Sequence, residues 1–242
     1  MKVFKFGYSL QKLPEVKSSM ALTGKELEVL LLKKLEGGNS ACKETMWNLA
    51  RLYSRSNRLK DALEFMSKLL SLSENDEERA SCLLAMGGIM EKMDDYEHAA
   101  VCYREGFLLN PADKRTWYFI NNNLGYCLNQ LQRFAEAREY FLTAIKTDPT
   151  RSNAYKNLGL CFQGLGEYIK AAKCFIAAIK ADAADARPLN HLKDLLKDHP
   201  ELNGNIADLE EKVTFCDSVT DLARKMQPDF ASWWEECRRQ FN

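Results

Sequence analysis

The side chains able to do chemistry in this 242-residue chain are few and scattered. There are three histidines, His98, His191 and His199. None stands in an H-E-x-x-H, H-x-E or C-x-x-C-H setting, so zinc ligation and histidine general-base work have no local partners. Eight cysteines (Cys42, Cys82, Cys102, Cys127, Cys161, Cys174, Cys216 and Cys237) contain no C-x-x-C pair. Cys127 with Cys161, and Cys102 with Cys174, fall at matching places in a repeat. Packing by a small hydrophobe explains them more simply than metal or disulfide chemistry. The glycines of Gly164-Leu165-Gly166 lack the preceding strand and the Gly-Lys-Ser/Thr ending that a phosphate loop requires. The acidic run from Glu74 to Glu78 is explained by the preference of carboxylates for a helix start. These residues predict no enzyme, no cofactor and no metal site.

The whole-chain charge narrows the partners. Lys+Arg and Asp+Glu are equal at 34 each, so no net field favours a phosphate backbone, and nucleic acid is not expected. Lys5 and Gly7 interrupt the N-terminal apolar run that a secretory signal needs. Apolar runs such as Val29–Leu32 are far short of the roughly 20 residues that span a bilayer. A cytoplasmic protein with no membrane partner is the expectation.

The elements that must carry any function are announced by self-similarity. Leu124-Gly125 recurs as Leu158-Gly159, Cys127 as Cys161, Phe134 as Tyr168, Ala137 as Ala171, Phe141 as Phe175, and Ala144-Ile145 as Ala178-Ile179, each 34 residues on. A fixed period of that size means a solenoid of repeated supersecondary units. Period and residues together resemble the tetratricopeptide repeat, a helix–turn–helix unit with small residues where its helices cross. The resemblance implies an all-α fold, a right-handed α-α superhelix of about four helical hairpins with N- and C-terminal capping helices. No unit has the family's first tryptophan. Met46, Leu83, Asn121 and Tyr155 stand there, and Asn121 is the one polar departure. Trp117 close by suggests a locally lengthened helix.

In chain order, 1–22 reads as an extended arm, either packed on the first helices or pairing with a second chain. A Thr23/Glu26 capping box opens an N-terminal capping helix over 23–42, stopped by Gly37-Gly38. The solenoid covers 43–185, in approximate repeats 43–76, 80–113, 118–151 and 152–185. Residues 77–79 and 114–117 interrupt the strict period, predicting an irregular superhelix. The remainder, 186–242, reads as a C-terminal helical cap. It holds one helix between Pro188 and Pro200, a longer one capped by Asn205, and an apolar face of Phe230, Trp233, Trp234, Cys237 and Phe241. That face suits a terminal cap or, through Phe230, Trp233 and Trp234, an interface.

In the family the first helix of each unit lines a concave groove. Carried over by position, the resemblance implies a surface of Trp47, Asn48 and Arg51; then Leu84, Ala85, Gly88 and Glu91; then Asn122, Asn123, Tyr126 and Gln130; then Asn153, Lys156, Asn157, Leu160 and Gln163. Asparagine fills one equivalent place three times, at Asn48, Asn123 and Asn157. A primary amide offers both donor and acceptor, so repetition would grip the backbone of an extended chain, or else serve packing and solubility. Family members that clamp a chaperone's C-terminal carboxylate need a Lys–Asn pair one turn apart. Lys156 has Leu160 there, and the set is incomplete. The expected function is a protein–protein scaffold or adaptor holding a peptide or protein. The alternatives are a homodimeric structural subunit assembled through its termini and a peptide-responsive regulator.

Overall fold

The computed structural model describes residues 23–36, 42–182 and 184–202. Among them lie α1 (Gly24–Glu36), α2 (Cys42–Arg55), α3 (Leu59–Ser71), α4 (Asp76–Glu91), α5 (Tyr96–Leu108), α6 (Lys114–Gln130), α7 (Phe134–Thr147), α8 (Ser152–Gly164), α9 (Tyr168–Ala181) and α10 (Arg187–Asp198), followed by a short 3-10 turn. No strand occurs among the described residues. The predicted N-terminal arm, the Gly37-Gly38 stop, the Asn205-capped helix, Cys216, Cys237 and the interface residues Phe230, Trp233 and Trp234 lie outside the described residues.

Helix starts follow from side chains placed to meet free backbone N–H groups. At α1 the Thr23 backbone N–H and hydroxyl both donate to Glu26, at 2.8 and 2.9 Å, as the capping box predicts. Asn75 accepts from the Glu78 N–H at α4, and Asp113 from the Thr116 N–H at α6. These caps sit one turn ahead of the repeat frame. The residues interrupting the period are therefore an extra first turn: α4 and α6 have 16 and 17 residues, against 13 in α8.

Helices pair as four hairpins, α2/α3, α4/α5, α6/α7 and α8/α9, and every internal turn is built alike. Asn57, Asp94, Gln132 and Gly166 occupy equivalent places with φ of 60, 57, 58 and 75°. The next N–H in each turn bonds back five residues, from Arg58 to Tyr53, Asp95 to Met90, Arg133 to Leu128 and Glu167 to Phe162, at 2.8–3.0 Å. Glycine fills this left-handed position only in the last unit.

Within a hairpin, glycine on the first helix makes room for a ring on the second. A Cβ at Gly87 would stand 2.5 Å from the Tyr103 ring, one at Gly125 2.7 Å from Phe141, and one at Gly159 2.5 Å from Phe175. The first unit solves the same problem with Ala50 and the more pliable Met66 in the equivalent places, both buried.

From the second unit on, successive first helices touch directly: α6 packs on both α4 and α8. No pair of successive second helices makes comparable contact, so the ribbon bends toward its first helices. The core forms two clusters. One joins α1–α3 to Cys82 and Ile89 of α4, and the other runs from Ala99 through the last helices to Leu202. α10 packs on α9 through Leu189, Leu192 and Leu195, closing that end of the second cluster.

Candidate peptide groove

On the side toward which the ribbon bends, α4, α6 and α8 lie against one another, and the polar centre of that side begins with a residue of a second helix. Tyr103 on α5 is fully buried, and its ring fills the space left by Gly87. In the next two units that place is Phe141 and Phe175, so the Tyr103 hydroxyl is extra. It reaches past Gly88, whose Cβ would lie 3.7 Å from it, and donates to the Glu91 carboxylate. It also accepts from the Asn123 amide at 3.3 Å. Asn122 donates to Asn123 at 2.9 Å, and Asn157 donates to Asn122 at 3.2 Å. The result is one directed chain, Asn157 to Asn122 to Asn123 to Tyr103 to Glu91. It crosses three units, and each link donates toward the carboxylate. Chains aligned in this way polarise one another and strengthen their bonds.

Burial sets the electrostatics. Glu91 is partly buried, which raises its carboxyl pKa, while the Tyr103 hydroxyl pulls the other way. The Tyr103 phenol is held far above its ordinary range by burial first and then by the Glu91 charge. On α8, Lys156 is also partly buried, and desolvation followed by the nearby Arg187 lowers its ammonium pKa. Arg187 is itself held by Asp185 at 2.8 Å and by the Asn153 side-chain oxygen at 3.1 Å.

The predicted residues thus divide into groups. Glu91, Asn122, Asn123 and Asn157 are joined in the chain, and Asn153 and Lys156 lie beside Arg187. Asn122 and Asn157 are 7% and 5% exposed, so their amides serve the fold, and the Asn157 carbonyl accepts a further bond from Asn129 at 3.0 Å. Tyr126 meets Tyr96 edge to face at 6.1 Å. Leu84 and Leu160 are half-buried against the larger cluster, Trp47 against the smaller one. Asn48, Arg51 and Gln163 are half-buried and Gln130 is exposed. The polar departure Asn121 is fully buried and donates to the Trp117 carbonyl at 2.8 Å. Sequence reasoning missed Tyr103 and Arg187. The first was signalled by a hydroxyl where sibling units carry Phe, because a buried phenol needs a partner.

Among the described residues no three His, Cys, Asp or Glu side chains are placed to share a metal ion. No described helix is long and apolar enough to cross a membrane.

A bent ribbon of like hairpins, with glycine–ring contacts and one shared turn, defines an α-helical repeat protein. Tetratricopeptide-repeat models match residues 46–80, 120–151 and 152–185, so the chain carries tetratricopeptide repeats over those segments. The α4/α5 hairpin repeats that architecture between the matched segments. Comparison with curated proteins gives no match. Among solved structures, the chain is similar to MamA (residue 41 to the end) from Desulfovibrio magneticus RS-1. The two share 19% identity and a TM-score of 0.58, over 77% of this chain and 97% of that one. A MamA crystal structure aligns at 21% identity and TM-score 0.56, over 68% and 91% of the two chains. YrrB, described as a TPR protein with an unusual peptide-binding site, aligns at 20% identity and TM-score 0.53, over 86% and 97%.

Proposed function

We propose that this chain is a non-catalytic adaptor that holds an extended peptide, or an extended segment of a partner protein, along the inner surface of its first helices. The observation that carries this reading is the polar chain from Asn157 to Glu91, which runs across three units on the side toward which the ribbon bends. Buried polar networks are costly unless fully satisfied, and an apolar seam would serve stability as well. Beside it, Tyr126 on Tyr96 offers aromatic surface. A preformed surface of this kind lowers the ordering cost of binding. YrrB, similar in fold, is described as binding peptide, which agrees with this use.

The test is to pan a phage-displayed library of random 12-residue peptides against the full chain. Selected peptides should bind at least tenfold more weakly to Tyr126→Ala/Gln130→Ala than to the parent. They should be unaffected by Leu108→Ala, on the outer helix α5, where Leu108 is 75% exposed. The opposite pattern would move the binding face to the second helices.

A homodimer is the second reading, and one observation favours it. Val29 and Leu30 of α1 are 52% and 54% exposed, adjacent apolar side chains on the first described helix. Sedimentation of the full chain against Val29→Asp/Leu30→Asp decides it: a dimer that becomes monomeric supports the reading, and an unchanged monomer removes it.

A further inference from the structure

Several charges outside the groove are paired. Lys43 meets Glu74 and Glu78 at 2.8 and 3.0 Å, Arg58 meets Glu28 at 2.7 Å, and Arg133 meets Glu136 at 2.7 Å. On the first helices two partly buried charges, Glu91 and Lys156, stand out because desolvation is the main influence on each and no counter-charge pairs with either among the described residues. The Glu91 carboxylate is held by the Tyr103 hydroxyl, and no Lys, Arg or His among the described residues pairs with it. The Lys156 ammonium has no hydrogen-bond acceptor and no ion pair among the described residues. The one carboxylate whose charge acts on it, Asp185, is committed to Arg187 through both oxygens and also accepts from the Ser152 hydroxyl at 3.4 Å. The other groups facing Lys156 from α10 are Arg187 and His191, which add no negative charge.

A charge withdrawn from water without a counter-charge is destabilising. Two such charges of opposite sign, at opposite ends of one hydrogen-bonded chain, are an arrangement that a bound molecule completes. The chain starts at Asn157, the residue after Lys156, and ends on Glu91. A polyanion would satisfy Lys156 and be repelled by Glu91, whereas a polypeptide can supply both signs. The two sites lie two units apart. At about 8–10 Å between packed helices, they are separated by roughly 20 Å. An extended chain covers that in about six residues at ~3.3 Å each.

We propose that the occupant of this groove is an extended peptide segment carrying a Lys or Arg that meets Glu91 and, about six residues away, an Asp or Glu that meets Lys156. This rests on the groove reading above and gives it a charge pattern. The occupant's charges replace water around two groups that the free protein leaves half-dehydrated. Both pKa displacements should reverse on binding, the carboxyl falling and the ammonium rising.

The same library of 12-residue peptides tests it on the full chain. Peptides enriched by the parent should share a basic and an acidic residue about six positions apart. A synthetic representative should lose about tenfold or more in Kd against Glu91→Gln and against Lys156→Met. The exchanged variant Glu91→Lys/Lys156→Glu should prefer the peptide with its two charges exchanged. Melting curves establish that each variant is folded, and Glu91→Gln keeps an acceptor for Tyr103. Enriched peptides that lose affinity in Tyr126→Ala/Gln130→Ala but show no charge spacing, or ignore both charge variants, overturn this proposal and leave the groove reading intact. Peptides that bind yet ignore Tyr126→Ala/Gln130→Ala, or a library with no enrichment, overturn both.

Discussion

Replacing Tyr103 with Phe removes one oxygen from the centre of the inner surface and leaves the ring that fills the Gly87 gap. The third and fourth units already use Phe141 and Phe175 at the same place, so the packing is compatible with the fold. Two bonds disappear: the donation to the Glu91 carboxylate and the acceptance from the Asn123 amide. A hydrogen bond to a charged group contributes about 1.5–3 kcal/mol and a neutral one about 1 kcal/mol. Relief from burying the hydroxyl offsets part of that, leaving a net loss of about 2–3 kcal/mol. For a structured region of this size, that lowers Tm by about 5–10 °C.

The loss should depend on pH. Burial raises the Glu91 carboxyl pKa in the folded chain and the Tyr103 hydroxyl restrains that rise, so Tyr103→Phe raises it further. A group whose folded pKa exceeds its unfolded value, near 4.3 for Glu, contributes stability that is full below the unfolded value. That contribution is lost as pH climbs through the folded pKa. The deficit of Tyr103→Phe relative to the parent should therefore be smaller at pH 4, where mainly the Asn123 bond is lost, and grow toward pH 7. Scanning calorimetry across that range measures it, with amide exchange in α4–α6 locating the weakened region. An unchanged Tm at pH 7, or a deficit of equal size at both ends of the range, would refute the hydrogen-bonded chain.

Three further perturbations read other parts of the design. Gln132 sits at φ 58° with a side chain, so Gln132→Gly should stabilise by about 0.5–1 kcal/mol in urea unfolding, while Gly166→Ala, at φ 75°, should cost about 1 kcal/mol or more. Gly125→Ala should cost about 1–3 kcal/mol because its Cβ meets the Phe141 ring. Adding Phe141→Met should recover part of that, since the first unit stably pairs Ala50 with Met66, and a double-mutant cycle showing no coupling would contradict the contact. Lys156→Met should stabilise the free chain by about 0.5–1 kcal/mol while weakening its binding, and a loss of stability would show that the ammonium is satisfied internally.

The repeat and its helices were legible because each unit buries the same residue types at the same interval, as Leu124/Leu158 and Ala137/Ala171 show. The interruptions at 77–79 and 114–117 were visible as broken spacing. Trp117 suggested the lengthened helix at the second, where α6 has 17 residues, but nothing marked the first as the same extra turn, because broken spacing alone does not separate an added turn from an irregular superhelix. Asn75 and Asp113, the caps of the lengthened helices, mark those turns once the structure is known. The site was legible by position and not by partner. Equivalence singled out Asn123 and Asn157 as amides of like use, yet the two do different work. Asn157 donates to an amide on the first helix of the preceding unit, and Asn123 donates to a phenol from a second helix. Those pairings depend on which side chain the adjacent unit presents across the seam, a distance of 20 or more residues that a repeat pattern averages away.

The division of the core has a mechanical consequence. α4 contributes Cys82 and Ile89 to one cluster, and its Glu91 anchors the polar chain that ties the later units together. A pull on α1–α3 is therefore transmitted through the single helix α4, while the hairpins beyond it are laced both by apolar packing and by the crossing amides. Under load or mild denaturant such a ribbon yields at one end first, behaving as a stiff block of three hairpins with a softer leader. An occupant that bridges Glu91 and Lys156 would brace the stiff block and leave the leader free to bend.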